Sequence, residues 1–514
     1  MRGRWFVVLV FLGLVMNVGG GTHRQAAAQA PDAVVIAQSA DIQTGDPHKT
    51  VAIHAYNALI NVYDTLMARD ADLRVKPGLA LAWRAIEPTT WELDLRRGVR
   101  FHNGEPFNAQ AVKFSLERAL DPRTKWPGAG VLRPIKSVTV VNDHTLRIAT
   151  ERPWPFFPAH MAYYGWIVPP RHIERAGEEA LARRPVGTGP YRFVRWIKDE
   201  RVELEVNSGY WGRRPKIERV IIRAIPSESS RLAELLAGSV HLINIVPPEV
   251  FGPILRSARA RLVSGRSAGI FYLQFNLMNI PRDRPLADRR VRQALNYAVD
   301  RKVMIQSILH NVGEVVPTLC ADISTGCDAS VPPYPYDPDR ARALLRETGY
   351  VDGFDMTISS TSGGYPADLD LSLAVADQFQ RVGVRARVVV IEYGVHLRQI
   401  FSRNVPEHAM FRRSTDFIGY AGGVADRNFH SRGGTSLWSP GRRDFDQLLE
   451  TAAVTVDEQR MKDLYRRAQL VFKEEAPAVP LFTAPNAHGL HRDLEWTPRP
   501  DLLLTMADAS WRRR

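Results

Sequence analysis

The stretch LRRGVRFHNGEPFNAQAVKFSLER, residues 95–118, decides the fold of this chain. It follows an alternating run of apolar and polar side chains, residues 91–95, that is typical of a half-buried strand. Its apolar side chains are spaced to pack a strand, a turn and a helix into one core: Phe101, Phe107, Val112, Phe114 and Leu116. The stretch therefore predicts a domain built from strands and helices together.

Short strands and helices alternate along the rest of the chain as well. Asp337 is a capping residue before Pro338, and Gly349 follows as a helix stop. Asn142 and Asp143 tolerate the backbone geometry of a hairpin turn. The patterns predict strands at residues 34–37, 91–95 and 384–390, a hairpin at 139–148, and helices at 291–298, 338–348 and 371–381. This succession predicts an α/β fold without an internal repeat.

The first thirty residues have the three parts of a secretory signal. Arg2 and Arg4 precede the apolar run of residues 5–18, and Ala28-Gln29-Ala30 ends the segment as a small-residue cleavage site. A membrane anchor is the alternative, but the run is shorter than the ~20 residues that cross a bilayer. We expect cleavage of residues 1–30 and a mature chain that begins near Pro31. No cysteine lies there to accept a lipid, so we expect a freely diffusing periplasmic protein.

Two cysteines, Cys320 and Cys327, lie close together in a segment rich in Gly, Ser, Pro and Asp. An exported protein meets oxidising conditions, which favours a disulfide between them. A zinc site is the alternative, but it usually needs four ligands and no histidine accompanies this pair. We therefore predict one disulfide and no metal site.

Size and charge limit the function classes. The chain has 514 residues, of which 45% are hydrophobic, so it can bury more than one core. Its net charge of +13 raises the question of nucleic-acid binding. The basic residues are mixed with acidic ones and form neither a long block nor a helix-turn-helix or zinc-finger pattern. We therefore expect no nucleic-acid partner, and a basic surface that favours anionic partners or ligands.

Catalytic motifs are missing from the sequence. It contains no Gly-x-Ser-x-Gly elbow, no His-Glu-x-x-His helix and no Ser-x-x-Lys signature near its beginning. The run Gly187-Thr188-Gly189-Pro190 is not followed by the Lys-Ser/Thr pair that ends a phosphate-binding loop, and it predicts a tight turn. We therefore expect neither an enzyme nor a cofactor, with a secreted hydrolase as the competing hypothesis.

Several segments, taken in order, resemble family 5 of the bacterial extracellular solute-binding proteins, the dipeptide, oligopeptide and nickel-type receptors of ABC importers. The stretch at residues 95–118 matches the family most specifically, almost position for position. The other matching segments are Asp46–His48, Val62–Leu66, Pro77–Ala80, Pro185–Tyr191, Tyr210–Gly212, Phe275–Asn276, Val291–Arg301 and Asp337–Tyr350. The ordered matches run from about Asp46 to Pro480 and so span nearly the whole mature chain.

The resemblance implies a type II periplasmic-binding-protein fold. In that fold two lobes are joined by a hinge that the chain crosses twice, and an extra subdomain is inserted in the first lobe. On this basis we expect lobe I at residues 31–272, lobe II at 273–479 and a return to lobe I at 480–514. The strand-like runs at residues 271–275 and 478–482 are the expected crossings.

The resemblance also implies a function. A protein of this family captures a small solute between its lobes and delivers it to an ABC permease in the inner membrane, which here means a monomer with a peptide or peptide-like ligand. Two alternatives remain open: a secreted enzyme or chaperone-like protein on the same fold, and a receptor for a non-peptide solute such as an opine or an oligosaccharide.

The resemblance also implies that dipeptide receptors of the family hold the ligand's carboxylate with an arginine in lobe II. The corresponding position falls at residues 362–364, which read Ser-Gly-Gly, so this arginine is missing. Arg412 or Arg413 can take its place. Tyr365, beside the same position, is the best single candidate contact because it offers a flat face and a hydroxyl group.

In the peptide-binding members generally, an aspartate of lobe II holds the ligand's amino group. Its position here falls on Asp416 or on Gly423, depending on where a gap is placed, and Asp426 lies just beyond. His48 and Trp438 are weaker candidates for ligand contact. His48 fits equally well as a residue that orders its own turn, and Trp438 as a core residue.

Overall fold

The computed structural model describes residues 32–439 and 441–512. The predicted signal segment, residues 1–30, and the cleavage point near Pro31 lie outside the described residues.

Lobe I begins with the long N-terminal segment, residues 32–264. Its helices and strands are β1 (Ala33–Gln38), α1 (Ile53–Val62), β2 (Met67–Arg69), β3 (Val75–Pro77), β4 (Ala80–Glu87), β5 (Thr90–Leu95), α2 (Ala109–Leu120), β6 (Ile135–Asn142), β7 (Thr145–Thr150), α3 (Phe157–Tyr163), α4 (Pro170–Ala176), α5 (Glu178–Arg183), β8 (Tyr191–Ile197), β9 (Arg201–Val206), β10 (Arg219–Ala224), α6 (Glu228–Ala237), β11 (Leu242–Ile243), α7 (Phe251–Leu255) and β12 (Ala260–Ser264).

Lobe II is one continuous segment, residues 269–484. It contains β13 (Gly269–Phe275), β14 (Leu277–Met278), α8 (Arg289–Tyr297), α9 (Arg301–Ser307), α10 (Pro338–Glu347), β15 (Asp355–Ser360), α11 (Asp368–Gln380), β16 (Arg385–Val390), α12 (Tyr393–Ser402), β17 (Ala409–Thr415), α13 (Gly422–Asn428), β18 (Trp438–Ser439), α14 (Arg443–Val454), α15 (Glu458–Glu475) and β19 (Ala478–Thr483). The chain then returns to lobe I with β20 (Ala487–His491), β21 (Leu494–Glu495) and β22 (Ser510–Trp511).

Each lobe is built on its own sheet. Lobe I has a seven-stranded sheet in the order β12-β20-β11-β1-β10-β9-β8, and lobe II a five-stranded sheet in the order β16-β15-β17-β13-β19. A separate four-stranded sheet, β4-β5-β7-β6, forms the inserted subdomain of lobe I. The two-lobed α/β architecture with an inserted subdomain is therefore confirmed.

The crossings between the lobes differ from the predicted ones. The runs predicted as crossings are β13 and β19, which pair with each other inside the sheet of lobe II. The chain crosses instead at residues 265–268 and 485–486, so residues 269–272 and 480–484 belong to lobe II. Both strands are buried on both faces, and their apolar runs reflect that burial and not a hinge.

Local sequence signals place the individual elements correctly. The predicted strands, hairpin and helices correspond to β1, β5, β6–β7, β16, α8, α10 and α11. Asp337 accepts a hydrogen bond from the backbone N–H of Arg340, and Gly349 has the positive φ of a helix stop. In the stretch at residues 95–118, Asn108 caps α2, and Phe101, Phe107, Val112 and Leu116 are buried.

Gly187 and Gly189 allow two backbone segments to lie in close contact. A Cβ on Gly187 would lie 2.1 Å from the carbonyl oxygen of Val62, at the end of α1. The backbone N–H of Gly189 donates to that same oxygen at 2.9 Å. Only glycine allows the two segments to approach so closely.

Cys320 and Cys327 form a disulfide. We expect the double replacement Cys320→Ser/Cys327→Ser to lower the free energy of unfolding by about 2–3 kcal/mol, because the short loop no longer restricts the unfolded chain. Denaturant unfolding of the variant measures the loss, and wild-type protein under reducing conditions is the matched comparison. Equal stability of all three samples would contradict the prediction.

Candidate ligand-binding cleft

One edge of the lobe II sheet is formed by the ends of three strands. β15 is parallel to both β16 and β17, so the three end on the same side. The segments that follow them are residues 361–367, 391–392 and 416–421. Ligands of open parallel sheets bind in the crevice outside the carboxyl ends of the strands. This edge is therefore the candidate cleft.

The third segment, residues 416–421, touches lobe I, and we call it the latch loop. Phe417 stacks on Tyr163 of lobe I with ring centroids 5.4 Å apart. Tyr420 stacks on Phe156 of the same lobe at 3.9 Å. These contacts bring the carboxyl edge of lobe II face to face with lobe I, so the cleft lies between the lobes.

Asp416 shapes the latch loop from within. One carboxylate oxygen accepts hydrogen bonds from the backbone N–H groups of Ile418 and Gly419, at 3.0 and 2.9 Å, and the other accepts from the hydroxyl of Ser324 at 2.6 Å. The side chain is buried. Its oxygens are already bonded within lobe II, so this geometry gives Asp416 a structural role in place of the predicted clamp on an amino group.

Arg412 is likewise bonded within lobe II. It is 3% exposed and donates to Gln274, to the carbonyl of Thr435 at 2.8 Å and to the side chain of Asn428 at 3.0 Å. Its guanidinium also lies 5.8 Å from the ring centre of Tyr272. Arg412 is therefore a core arginine that organises lobe II, and not the free cation that the sequence suggested.

Arg413 points to the opposite face of β17, because side chains alternate along a strand. Its guanidinium lies near the crossing: a Cβ on Gly269 would be 3.4 Å from its Nη2. Its Nε is buried without a hydrogen-bond partner, and no side chain of residues 32–439 or 441–512 forms an ion pair with it. Burial lowers the pKa of Arg413, while the hydroxyls of Tyr365 and Tyr393 raise it. Arg413 is an unpaired cation in the cleft.

Tyr365 is held in a fixed position by the loop that follows β15. The carboxylate of Asp368 accepts hydrogen bonds from three consecutive backbone N–H groups, residues 363–365, at 2.9–3.0 Å. The Tyr365 hydroxyl lies 3.4 Å from Nε2 of His396, and its ring meets that of Tyr393 edge-on at 5.7 Å. The predicted contact residue is thus part of an aromatic wall beside Arg413.

Asp426 lies on α13, partly buried and without a partner in the described part of the chain. Burial raises its pKa to about 6, although the nearby His430 and Arg152 favour the ionised form. The neighbouring hydroxyl of Tyr465 is buried and also unbonded. Together they form a polar niche beside the Tyr420 ring of the latch loop, with Arg152 and His430 close by.

Two other predicted contacts are core residues. His48 is fully buried in lobe I, where its ring nitrogens lie 3.2 Å from the carbonyl oxygen of Trp166 and 3.1 Å from Nη1 of Arg118. Trp438 is buried in lobe II and packs on Phe445 at 5.3 Å. Neither side chain reaches the carboxyl edge of the lobe II sheet, which favours the alternative given for each: a residue that orders its own turn for His48 and a core residue for Trp438.

Sequence reasoning missed the lobe I side of the cleft. Arg69, Phe156 and Tyr163 all contact the latch loop, but they lie in segments without a distinctive motif. The aromatic run at residues 154–166 was the available signal, since aromatic side chains concentrate at contact surfaces.

The cleft offers binding groups and no evident catalytic arrangement. It combines the Arg413 guanidinium with the aromatic wall of Tyr365 and Tyr393. Asp426 lies in its own niche near Tyr420 and Tyr465. Within residues 32–439 and 441–512, no group of three or more His, Cys, Asp or Glu side chains could hold a metal ion. No helix of that part of the chain has the length and hydropathy of a membrane span.

Comparison with protein families gives a match over most of the chain. The family model of the bacterial extracellular solute-binding proteins, family 5 (middle), matches residues 74–417. The glutathione-binding protein GsiB of Salmonella choleraesuis (strain SC-B67) is 28% identical over 466 residues, covering 88% of this chain and 89% of that protein.

Solved structures share the fold. HbpA2 from Haemophilus parasuis is similar with a TM-score of 0.82 and 24% identity, covering 94% of this chain and 100% of that chain. The ABC transporter-associated periplasmic binding protein DppA from Helicobacter pylori, in complex with the peptide STSA, is similar with a TM-score of 0.75 and 23% identity, covering 94% of this chain and 98% of that chain.

Proposed function

This chain belongs to family 5 of the bacterial extracellular solute-binding proteins, and from that premise we propose that it is the periplasmic receptor of an ABC importer. It captures a small peptide or peptide-like compound between its lobes and presents the closed form to a permease in the inner membrane. Binding free energy is spent partly on stabilising the closed state. No bond is made or broken in this function.

The unpaired guanidinium of Arg413 is the observation that carries the proposal. A partly buried charge without a partner costs free energy that a ligand of opposite charge recovers. Arg413 therefore selects a ligand with a carboxylate, and it replaces the arginine that is missing at residues 362–364. The aromatic wall of Tyr365 and Tyr393 accommodates the flat groups of a peptide.

Asp426 supports a ligand that also carries an amino group. Its carboxylate is partly desolvated and unbonded, so an ammonium group gains a strong electrostatic partner there. A small peptide has both charges. Because curated relatives are named glutathione-binding proteins, tripeptides of the glutathione type are the first candidates.

A thermal-shift and calorimetric screen tests this function. The mature protein is unfolded and refolded to remove any carried-over ligand, and then mixed with reduced and oxidised glutathione, di- and oligopeptides, opines, oligosaccharides and nickel chelates. A ligand at about 100 times its Kd adds about 2.7 kcal/mol of stability, which raises the melting temperature by at least about 1 °C. Saturable binding of one peptide class supports the proposal. Absence of binding to every class, or turnover of any of them, contradicts it.

Ligand affinity is expected to fall as the pH drops through about 6. The pKa of Asp426 is raised to about 6 by burial, so its carboxylate is ionised at pH 7.5 and becomes protonated below pH 6. Protonation removes the partner of the ligand's ammonium group. Calorimetry at pH 7.5 and pH 5 is expected to show about tenfold weaker binding at the lower pH, with the slope limited to tenfold per pH unit.

The stability of the free protein responds in the opposite direction. Since the pKa is raised in the folded state, Asp426 binds its proton more readily there than in the unfolded chain, and the burial penalty shrinks as the pH falls from about 6 toward the ordinary value of 3.8. The matched variant Asp426→Asn is expected to lack both effects. Taking the difference between the two proteins removes the contributions of His430, Arg152, Asp446 and Glu450. A pH dependence that survives in Asp426→Asn would assign it to another group.

A further inference from the structure

Arg69 joins the two lobes through backbone carbonyl groups. From the end of β2 its guanidinium donates to the carbonyl oxygens of Phe417 and Ile418 in the latch loop, at 2.5 and 2.9 Å. It also donates to the carbonyl of Ala159 in lobe I at 2.9 Å. No carboxylate lies within ion-pair distance of Arg69 among residues 32–439 and 441–512. One cation is therefore shared between acceptors on both sides of the cleft.

The surroundings of this guanidinium strengthen the contact. Arg69 is 6% exposed, and burial lowers its pKa. Hydrogen bonds from a charged donor are about twice as strong as neutral ones, and a water-poor environment strengthens them further. The stacks of Tyr163 on Phe417 and of Phe156 on Tyr420 cover the contact on two sides. Polar and aromatic contacts together therefore hold the latch loop against lobe I.

Hydrogen bonds within lobe II fix the conformation of the latch loop. The loop closed by the Cys320–Cys327 disulfide contributes Thr325, whose backbone N–H donates to Gly419 O and whose carbonyl accepts from Ala421 N, both at 2.8 Å. Ser324 of the same loop donates to Asp416. The carbonyl groups that accept hydrogen bonds from Arg69 therefore belong to a loop whose conformation is already fixed. Forming the contact needs no further ordering of that loop.

We propose that Arg69 and the latch loop form an interlobe latch that holds the protein partly closed by protein–protein contacts alone. None of these contacts involves Arg413, Tyr365 or Asp426. Arg69 is accordingly a positioning residue that sets how often the lobes are closed. Because the apparent Kd equals the intrinsic Kd divided by the closed fraction, the latch tunes affinity without touching the solute.

The test uses refolded, ligand-free mature protein, so its outcome is independent of which solute binds. Small-angle X-ray scattering gives the radius of gyration of wild type, Arg69→Gln and the control Arg74→Gln. Arg74 lies exposed just before β3, and its side chain contacts no partner in the described part of the chain, so its replacement changes the same charge outside the latch. We expect Arg69→Gln to be more expanded than wild type and Arg74→Gln to match wild type.

Hydrogen exchange gives a second readout. Peptides that cover residues 156–164 and 416–421 are expected to exchange at least about tenfold faster in Arg69→Gln, while those of β15 and β16 keep their wild-type rates. If Arg69→Gln fails to fold, Tyr420→Ala, which removes the stack on Phe156 from the lobe II side, replaces it in both measurements. Equal radii and equal exchange in wild type and a folded latch variant would overturn the proposal.

Discussion

Replacing Arg413 by methionine is expected to abolish high-affinity binding of a carboxylate-bearing ligand while leaving the free protein as stable as wild type. Loss of one partner from a buried, hydrogen-bonded charge pair costs about 2–5 kcal/mol, which is roughly a 30-fold to several-thousand-fold rise in Kd. In the free protein the same substitution removes a guanidinium that is partly desolvated and unpaired. An apolar side chain of similar length removes that cost.

Calorimetry with the tightest-binding compound of the screen, together with thermal unfolding of the free protein, measures both sides of this expectation. The matched control is Arg387→Met, an exposed arginine of β16 in the same sheet, which is expected to keep wild-type affinity. If Arg413→Met binds as tightly as Arg387→Met, the carboxylate is held elsewhere. If it unfolds at a much lower temperature than wild type, Arg413 is a structural residue.

The neighbouring substitution, Arg412→Met, is expected to have the opposite effect. It deprives Gln274, Thr435 and Asn428 of their charged donor in a buried setting. Unsatisfied buried acceptors cost about 1–3 kcal/mol each, and the remaining bonds of Asn428 relieve part of this, so we expect a loss of about 2–4 kcal/mol in the free energy of unfolding.

Denaturant unfolding followed by tryptophan fluorescence and circular dichroism measures that loss. At temperatures where Arg412→Met is still folded, its affinity for the ligand is expected to stay within a few-fold of wild type. If Arg412→Met kept wild-type stability but lost binding, Arg412 would be the ligand-binding arginine and Arg413 the structural one.

This pair of residues shows how far sequence reasoning reaches. The polar cluster in β17 and its possible role in binding were visible, but alternation along a strand means that a one-residue shift moves a side chain to the other face. Asp416 is a similar case. Its position near the cleft was predicted, but its bonds to Ser324 and to its own loop come from a segment far away in the chain.

The fold was predictable because its signals are local. Asp337 and Gly349 delimit α10, and the alternating run at residues 91–95 is β5. The hinge was misplaced because fully buried strands and extended connectors have similar apolar patterns. The latch could not be predicted from the sequence, because Arg69 and Phe417 are separated by 348 positions and nothing near either residue indicates the other.

The place of β20 in the lobe I sheet has a consequence for how the chain acquires its structure. This strand lies between β12 and β11, in the interior of the sheet, although it comes from the last part of the chain. Lobe II is continuous and is complete once residue 484 is available, whereas lobe I waits for residues 487–491 before its sheet is joined. During synthesis, the second lobe is therefore the first that can finish folding. A chain that stops before residue 487 therefore contains a complete lobe II attached to a lobe I whose sheet is incomplete.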